Sequence, residues 1–172
     1  GGITGKITAT NNVTCFGGND GSAPAATPGN TGPYVYAWAP SGGNAATGTP
    51  LSAGNYTCTI TDANGCIATV TVSITQPPAI TATQSQTNVT CNGGCNGTAT
   101  VVASGGTGTY TYVWAPTGGT GSTASGLCAG TYTVTISSPA GCSITNTVTI
   151  TQPTAVTAST TTTPSTCGNP NG

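Results

Sequence analysis

The sequence repeats itself, and the repeat restricts the fold more than any other feature. A shift of 76 positions, the separation of Cys15 and Cys91, aligns residues 12–87 with residues 88–163 without a gap. Roughly half of the aligned positions are identical, which is typical of tandem structural units. Cys167 occupies the same position in a third copy. We therefore predict the tail of a preceding linker strand at 1–11, one module at 12–87, a second at 88–163 and the start of a third repeat at 164–172.

Short alternating segments within each repeat predict β-strands. In the second copy they occupy residues 99–103, 110–114, 132–136 and 143–150, separated by turn sequences such as GGTG and SPAG. The chain has 27 glycines and 12 prolines, which are common in turns. About 40 residues are threonine, which suits half-exposed strands. The sequence predicts an all-β fold of tandem immunoglobulin-like β-sandwich modules, with about 76 residues per repeat.

Charged residues are almost absent. Lys6, Asp20 and Asp62 are the only ones, and there is no histidine. Acid–base and nucleophilic catalysis need titratable groups within reach of one another, so we expect no enzymatic activity and no cofactor. One lysine cannot neutralise nucleic-acid phosphates, and no run of about 18 apolar residues could span a membrane. Neither nucleic-acid binding nor membrane insertion is expected.

The two aspartates lie in sequences that resemble fragments of calcium-binding loops, GGNDGS and TDANG. The second repeat has Asn96 in place of Asp20 and Ser138 in place of Asp62. A calcium site shared by the repeats is therefore not expected. We interpret both aspartates as turn residues that accept hydrogen bonds from the nearby backbone.

Cysteine usage indicates an oxidising, extracellular compartment. Eight cysteines occur in a chain with only 35% hydrophobic residues, and disulfides commonly supplement such a thin core. Four of the cysteines recur in step with the repeat. We predict that they form one bridge inside each module, Cys15 with Cys66 and Cys91 with Cys142. The spacing supports these pairs but leaves the connectivity open.

The other cysteines differ between the copies. Cys95 and Cys128 occur only in the second copy, and their joint presence predicts a bridge between two loops. A zinc site made by the four thiols of the second module is the alternative, although the first module has only two equivalent thiols and no histidine. Cys58 takes the place of Val134, so we expect a buried free thiol there. The partner of Cys167 is left open.

Alternating aromatic residues predict the core, because large rings supply most of the area that a threonine-rich module can bury. The expected core aromatics are Tyr36, Trp38, Tyr56, Tyr112, Trp114 and Tyr132. In the segment LSAGNYTC the tyrosine resembles that of the immunoglobulin F-strand corner, whose hydroxyl bonds to the preceding turn. Tyr34 and Tyr110 are expected nearest the rim, where they are candidates for contact with a glycan.

Four motifs in fixed order resemble a known family. They are NVTCFGGNDGS at 12–22, GPYVYAWAP at 32–40, LSAGNYTCTITDANGC at 51–66 and ITQP at 74–77. Together they are similar to the SprB repeat of large surface adhesins in gliding and related bacteria. The resemblance implies a long, secreted protein displayed outside the cell and associated with adhesion and gliding motility. The second repeat lacks both aspartates of the motif, so no acidic ligand is implied.

These features together predict a structural or adhesive extracellular repeat array at the cell surface. The expected partners are neighbouring modules of the same or identical chains in a filament or bundle, because the sheet edges have almost no charge to protect them. The alternative is a carbohydrate-binding module in which Tyr34, Tyr110 and adjacent loops contact a surface polysaccharide. An isopeptide staple is not expected, since Lys6 lies outside the full repeats.

Overall fold

The computed structural model describes residues 2–29 and 32–164, which form twelve β-strands and no helix. The first six are β1 (Lys6–Ile7), β2 (Gly21–Ala26), β3 (Tyr34–Ala39), β4 (Thr47–Leu51), β5 (Gly54–Asp62) and β6 (Ile67–Ile74). The second six are β7 (Thr81–Thr87), β8 (Gly97–Ser104), β9 (Thr111–Ala115), β10 (Thr123–Leu127), β11 (Gly130–Ser137) and β12 (Ser143–Ile150). The predicted all-β class is confirmed, and the immunoglobulin-like detail stays a prediction.

Each module consists of two three-stranded antiparallel sheets. In module 1 the strand orders are β1-β2-β4 and β3-β5-β6, and in module 2 they are β7-β8-β10 and β9-β11-β12. One hydrophobic core in each module takes residues from both sheets, as a sandwich requires. In β5 the buried residues Tyr56, Cys58 and Ile60 alternate with more exposed threonines. The two-residue period of the sequence therefore selects the face that enters the core.

The folded units begin one strand earlier than the boundaries taken from the sequence. β7 lies before residue 88, yet it pairs along its whole length with β8 of module 2. β1 lies within residues 1–11 and pairs with β2. The half-buried Ile7 packs on the core of module 1, and Ile80 packs on that of module 2. The repeat length gives the distance between equivalent residues but not the residue at which a folded unit begins. The boundaries taken from the sequence therefore lie one strand too late.

One tryptophan lies at the centre of each core. Trp38 is 7% exposed and Trp114 is 5% exposed. Each indole N–H donates to a backbone carbonyl, Trp38 to Ala45 at 3.0 Å and Trp114 to Gly121 at 2.9 Å. Because the polar atom of each ring is paired, the ring can be buried without leaving an unsatisfied donor.

The other predicted core aromatics lie on the same sheets. Tyr56 and Tyr132 are buried, and Tyr36 and Tyr112 are half-buried against the cores. The hydroxyls of Tyr56 and Tyr132 donate to the carbonyls of Ser52 and Cys128, each at 3.1 Å. Both tyrosines therefore tie β5 and β11 to the turn that precedes the strand, the contact expected for the LSAGNYTC motif.

Cys58 is a buried free thiol, with its side chain wholly inside the core of module 1. Burial raises the pKa of the Cys58 thiol, which keeps it protonated and unreactive. Val134 occupies the equivalent position in module 2 and is buried to the same extent. The site therefore accepts a small apolar side chain.

We expect Cys58→Val to change the free energy of unfolding of module 1 by less than about 1.5 kcal/mol, because valine fills the equivalent buried position in module 2. Cys58→Ser should lower it by about 1–3 kcal/mol, since the hydroxyl loses water without a strong partner. Urea unfolding of the two variants and the parent chain measures both effects. Equal losses for valine and serine would show that the pocket does not discriminate by polarity.

Candidate functional site: the junction between the modules

The cysteine loop of module 1, residues 12–18, is fixed to the end of its own module. The side-chain oxygen of Asn12 accepts from the Thr75 amide at 2.9 Å, and the Val13 amide donates to the Thr75 carbonyl at 2.9 Å. The Gly17 amide donates to the side-chain oxygen of Gln76 at 2.7 Å. These bonds explain why NVTC and TQP occur together in each repeat. They hold Cys15 at the end of β6 where the chain leaves module 1.

The cysteine loop of module 2, residues 88–94, is held in the same way. Asn88 accepts from the Thr151 amide at 3.0 Å, and the Val89 amide donates to the Thr151 carbonyl at 3.0 Å. The Gly93 amide donates to Gln152 at 2.8 Å. The position of the loop is therefore a property of the module and not of one copy.

The second part of the junction is the Gly-Cys turn of module 2, residues 138–142, which joins β11 to β12. The Ser138 amide donates to the Cys142 carbonyl at 2.8 Å, and Gly141 has φ of 84°, which favours glycine. The turn lies at the opposite end of β12 from Thr151. It therefore faces module 1.

A disulfide joins the two parts. Cys15 of module 1 bonds to Cys142 of module 2, with the Cα atoms 5.6 Å apart. This pairing corrects the prediction that Cys15 bonds to Cys66 and Cys91 to Cys142. Among the described residues, Cys66 and Cys91 are free thiols. Cys167 lies outside the described residues.

The length of β6 explains the correction. Cys66 precedes β6, whereas the cysteine loop is fixed to Thr75 and Gln76 beyond its other end. The 8 residues of β6 span about 26 Å at roughly 3.3 Å per residue. A disulfide requires Cα atoms closer than about 7 Å. Cys15 and Cys66 therefore lie at opposite ends of one module and cannot bond.

The bridge specific to module 2 joins Cys95 to Cys128, with the Cα atoms 3.8 Å apart. It connects the loop before β8 to the loop after β10, next to the paired residues Gly97 and Leu127. This is the pair expected from the joint presence of the two cysteines. The bridge lies at the end of the β7-β8-β10 sheet from which the chain continues into β11, the strand that carries Tyr132.

The linker between the modules packs closely on module 2. The Gly106 amide donates to the Pro78 carbonyl at 2.8 Å. Gly105 has φ of 82°, and a Cβ atom there would lie 1.9 Å from the Ala79 carbonyl oxygen. Only glycine fits at this contact. The linker and the disulfide thus connect the modules at two places.

A cavity of about 310 Å³ lies at the junction. Its walls include Phe16 from the cysteine loop, Pro77 and Ile80 from the linker, and Ile144 from β12. Phe16 is 59% exposed. The residue at the equivalent position in module 2 is Asn92, whose side-chain amide donates to the Pro153 carbonyl at 3.0 Å. The junction is lined by apolar groups and contains no charged side chain among its described walls.

Asp20 closes the cysteine loop of module 1. Its carboxylate accepts hydrogen bonds from the hydroxyl and the backbone amide of Thr14, which hold the pKa of Asp20 below its ordinary value of 3.8. In module 2 the neutral Asn96 makes the same closure, accepting from the Thr90 amide at 3.1 Å and donating to its hydroxyl at 2.8 Å. Asp20 and Asn96 both act as turn residues. Only the loop closure made by Asp20 depends on ionisation.

We expect the closure by Asp20 to be lost in acid. Because the pKa is depressed in the folded chain, the contribution is complete above pH 3.8 and is lost as the pH falls through the folded-state pKa. The Thr14 amide resonance should therefore move at a pH below 3.8, and in Asp20→Asn it should not move. The Thr90 amide is the control within the same chain. A Thr14 transition centred above 3.8 would contradict the assignment.

The two candidate glycan contacts are half-buried. Tyr34 and Tyr110 both pack against the core of their module. The Tyr110 hydroxyl donates to the Gly105 carbonyl, and the Tyr34 hydroxyl is buried. A sugar-stacking platform needs an open ring face, and this packing does not favour one. No group of three or more metal-ligating side chains is present within residues 2–29 and 32–164.

The family comparison matches the two modules at equivalent places. The model of the SprB repeat matches residues 7–43 and 83–119. These two segments together cover 74 of the 172 residues. Each match begins in the first strand of a folded unit and includes the cysteine loop and the tryptophan-bearing strand. The start of each SprB match therefore agrees with folded units that begin at β1 and β7. SprB repeats indicate a surface adhesin-type repeat protein.

Among curated proteins, none matches the chain significantly. No helix capable of crossing a membrane is found in the part of the chain that the structure describes. The SprB match ends before the Gly-Cys turn. The sequence identified both cysteines of the junction as disulfide-forming residues but did not give their pairing. The signal that could have given it is the strand between GC and TQP, because that strand separates the two ends of a module.

Proposed function

We propose that the chain is a structural segment of an extracellular adhesin array, in which SprB modules joined end to end extend from the cell surface. The observation that carries the proposal is the Cys15–Cys142 disulfide, which joins consecutive modules instead of closing each module by itself. A bridge of this kind makes the connection between modules covalent at a second point. It suits a protein that transmits force along its length.

The chemistry of the surface is in keeping with this role. The single lysine and two aspartates offer no pair for acid–base catalysis, and the eight cysteines suit an oxidising environment. The repeated units differ in their loops but keep the same strand order and the same core aromatics. The array therefore repeats a scaffold and not a reactive site.

The test uses cells of the organism that encodes the chain. Antibodies raised against the two modules should label intact, unpermeabilised cells, and deletion of the gene should reduce attachment of the cells to a solid surface. A strain with an unrelated surface protein deleted is the control. Labelling that appears only after permeabilisation would contradict the surface role.

We propose further that arrays contact one another through sheet edges. The edge strands β3, β6 and β9 carry the exposed apolar side chains Val35, Ile67 and Val113. Charges that would discourage edge association are nearly absent, so association should change little with salt. Light scattering of the purified chain over a wide salt range tests this idea. A monomer at every salt concentration would favour a single-stranded stalk.

A further inference from the structure

Within the part of the chain that the structure describes, the two partly accessible free thiols are the repeat equivalents of Cys15 and Cys142. Cys91 stands at the position of Cys15, and Cys66 at that of Cys142. Cys91 is exposed and Cys66 is half-buried, in contrast to the wholly buried Cys58. Each module thus has one cysteine at either end, and the structure joins the exit cysteine of module 1 to the entry cysteine of module 2.

The loop that carries Cys91 has the backbone geometry of the bonded loop. The Gly94 amide donates to the Cys91 carbonyl at 3.0 Å, and the Gly18 amide donates to the Cys15 carbonyl at the same 3.0 Å. Gly93 and Gly17 have φ of 77° and 75°. Cys91 is therefore presented at the exit of module 2 as Cys15 is presented at the exit of module 1.

The turn that carries Cys66 likewise matches the bonded turn. The Asp62 amide donates to the Cys66 carbonyl at 3.0 Å, compared with 2.8 Å from Ser138 to Cys142. Gly65 has φ of 81°, close to the value at Gly141. The Asp62 carboxylate also accepts from the Cys66 amide at 2.8 Å, which fixes the turn further. Both halves of the junction are therefore formed before any partner is present.

The exits of the two modules also differ at one apolar position. Val156 is 99% exposed. Its repeat equivalent is Ile80, which packs on the core of module 2 directly before β7. Val156 therefore offers an apolar side chain at the position that, one repeat earlier, packs on the core of the following module.

We propose that Cys91 and Cys66 are the open halves of the same inter-module disulfide, and that another SprB module, such as one from a second copy of this chain, completes each of them head to tail. Cys91 of one copy would bond to Cys66 of the next. The inference deepens the proposed array and rests on it, because it names the contact by which the array continues.

The bond forms by thiol–disulfide exchange with a small disulfide such as oxidised glutathione. The Cys91 thiolate attacks one glutathione sulfur and releases one glutathione thiol. The Cys66 thiolate of the second copy then attacks the mixed disulfide and releases the other. Two protein thiols are oxidised to one disulfide, and one molecule of oxidised glutathione is reduced to two thiols.

The experiment uses the full chain with Cys167→Ser, which removes the cysteine of the third repeat. The protein is incubated at high concentration with oxidised glutathione, separated on non-reducing gels and mapped by mass spectrometry. We expect a ladder of oligomers whose cross-linked peptides join Cys91 to Cys66. Cys91→Ser and Cys66→Ser should each abolish the ladder, and a mixture of the two variants should give a dimer and nothing longer. Cys58→Val is the matched control and should leave the ladder unchanged.

Two results would overturn the inference: a chain that stays monomeric, or a product in which Cys91 is joined to Cys91. Neither result bears on surface labelling of cells, so failure of the head-to-tail bond is distinguishable from failure of the surface role. If cells are labelled but the ladder is absent, the array exists and continues without this bond.

Discussion

Pulled from its two ends, the oxidised chain should extend by about 440 Å less than the same chain without the Cys15–Cys142 bond. The bonded cysteines are separated by 127 positions, the segment between them would carry no tension while the bond is intact, and each position adds roughly 3.5 Å when the chain is extended. Single-molecule force spectroscopy of the parent chain and of Cys15→Ser/Cys142→Ser measures the difference. The double variant should show both modules unfolding, whereas the parent chain should release only the segments outside the bridge.

The second disulfide provides the control. Cys95 and Cys128 are separated by 33 positions, and the loop that they close lies wholly inside the segment enclosed by the first bridge. Cys95→Ser/Cys128→Ser should therefore add no extension while Cys15–Cys142 is intact. Combined with the first pair of substitutions, it should add roughly 115 Å more. Equal extension of the parent chain and Cys15→Ser/Cys142→Ser would mean that the inter-module bond is absent under load.

Trp38→Ala should lower the free energy of unfolding of module 1 by about 3–5 kcal/mol, the usual cost of removing a buried large aromatic side chain. The indole is 7% exposed, and its N–H bond to Ala45 would also be lost. The backbone of Gly48 lies directly against the ring, where a Cβ atom would be 2.7 Å from an indole carbon. Strand β4 and the loop before it therefore depend on the ring for packing.

The matching substitution in module 2 makes the test specific. Hydrogen exchange measured by mass spectrometry should become faster in β5 for Trp38→Ala and faster in β11 for Trp114→Ala. Trp38→Phe keeps a ring but not the donor, so its effect should be smaller than that of alanine. A loss below about 1 kcal/mol for Trp38→Ala would show that the ring is not central to the core.

Much of the fold could be predicted because the relevant signals are local. The alternation of Tyr132, Val134 and Ile136 with threonines gives β11 and the face that it buries. The tyrosine two positions before residue 58 predicts a bond to the preceding turn, and the Tyr56 hydroxyl makes that bond. In each case the residues that determine the contact lie within a few positions of one another.

The junction could not be predicted in the same way, because a periodic sequence does not distinguish a contact within a unit from a contact with the next one. Cys66 and Cys142 are equivalent in the repeat, so both are equally suitable partners for Cys15 by spacing alone. The choice depends on where the cysteine loop packs, and this is set by hydrogen bonds to Thr75 and Gln76, about 60 residues away. The boundaries of the folded units were misplaced for the same reason, because a repeat does not show at which residue a unit begins.

The most direct test of the account is peptide mapping of the purified, unreduced chain after free thiols have been alkylated. We expect a cross-linked peptide pair that contains Cys15 and Cys142, a second pair that contains Cys95 and Cys128, and alkylated Cys66 and Cys91 in the monomer. Cross-links from Cys15 to Cys66 and from Cys91 to Cys142 would contradict it, because each module would then be closed separately and the modules would not be joined by a disulfide.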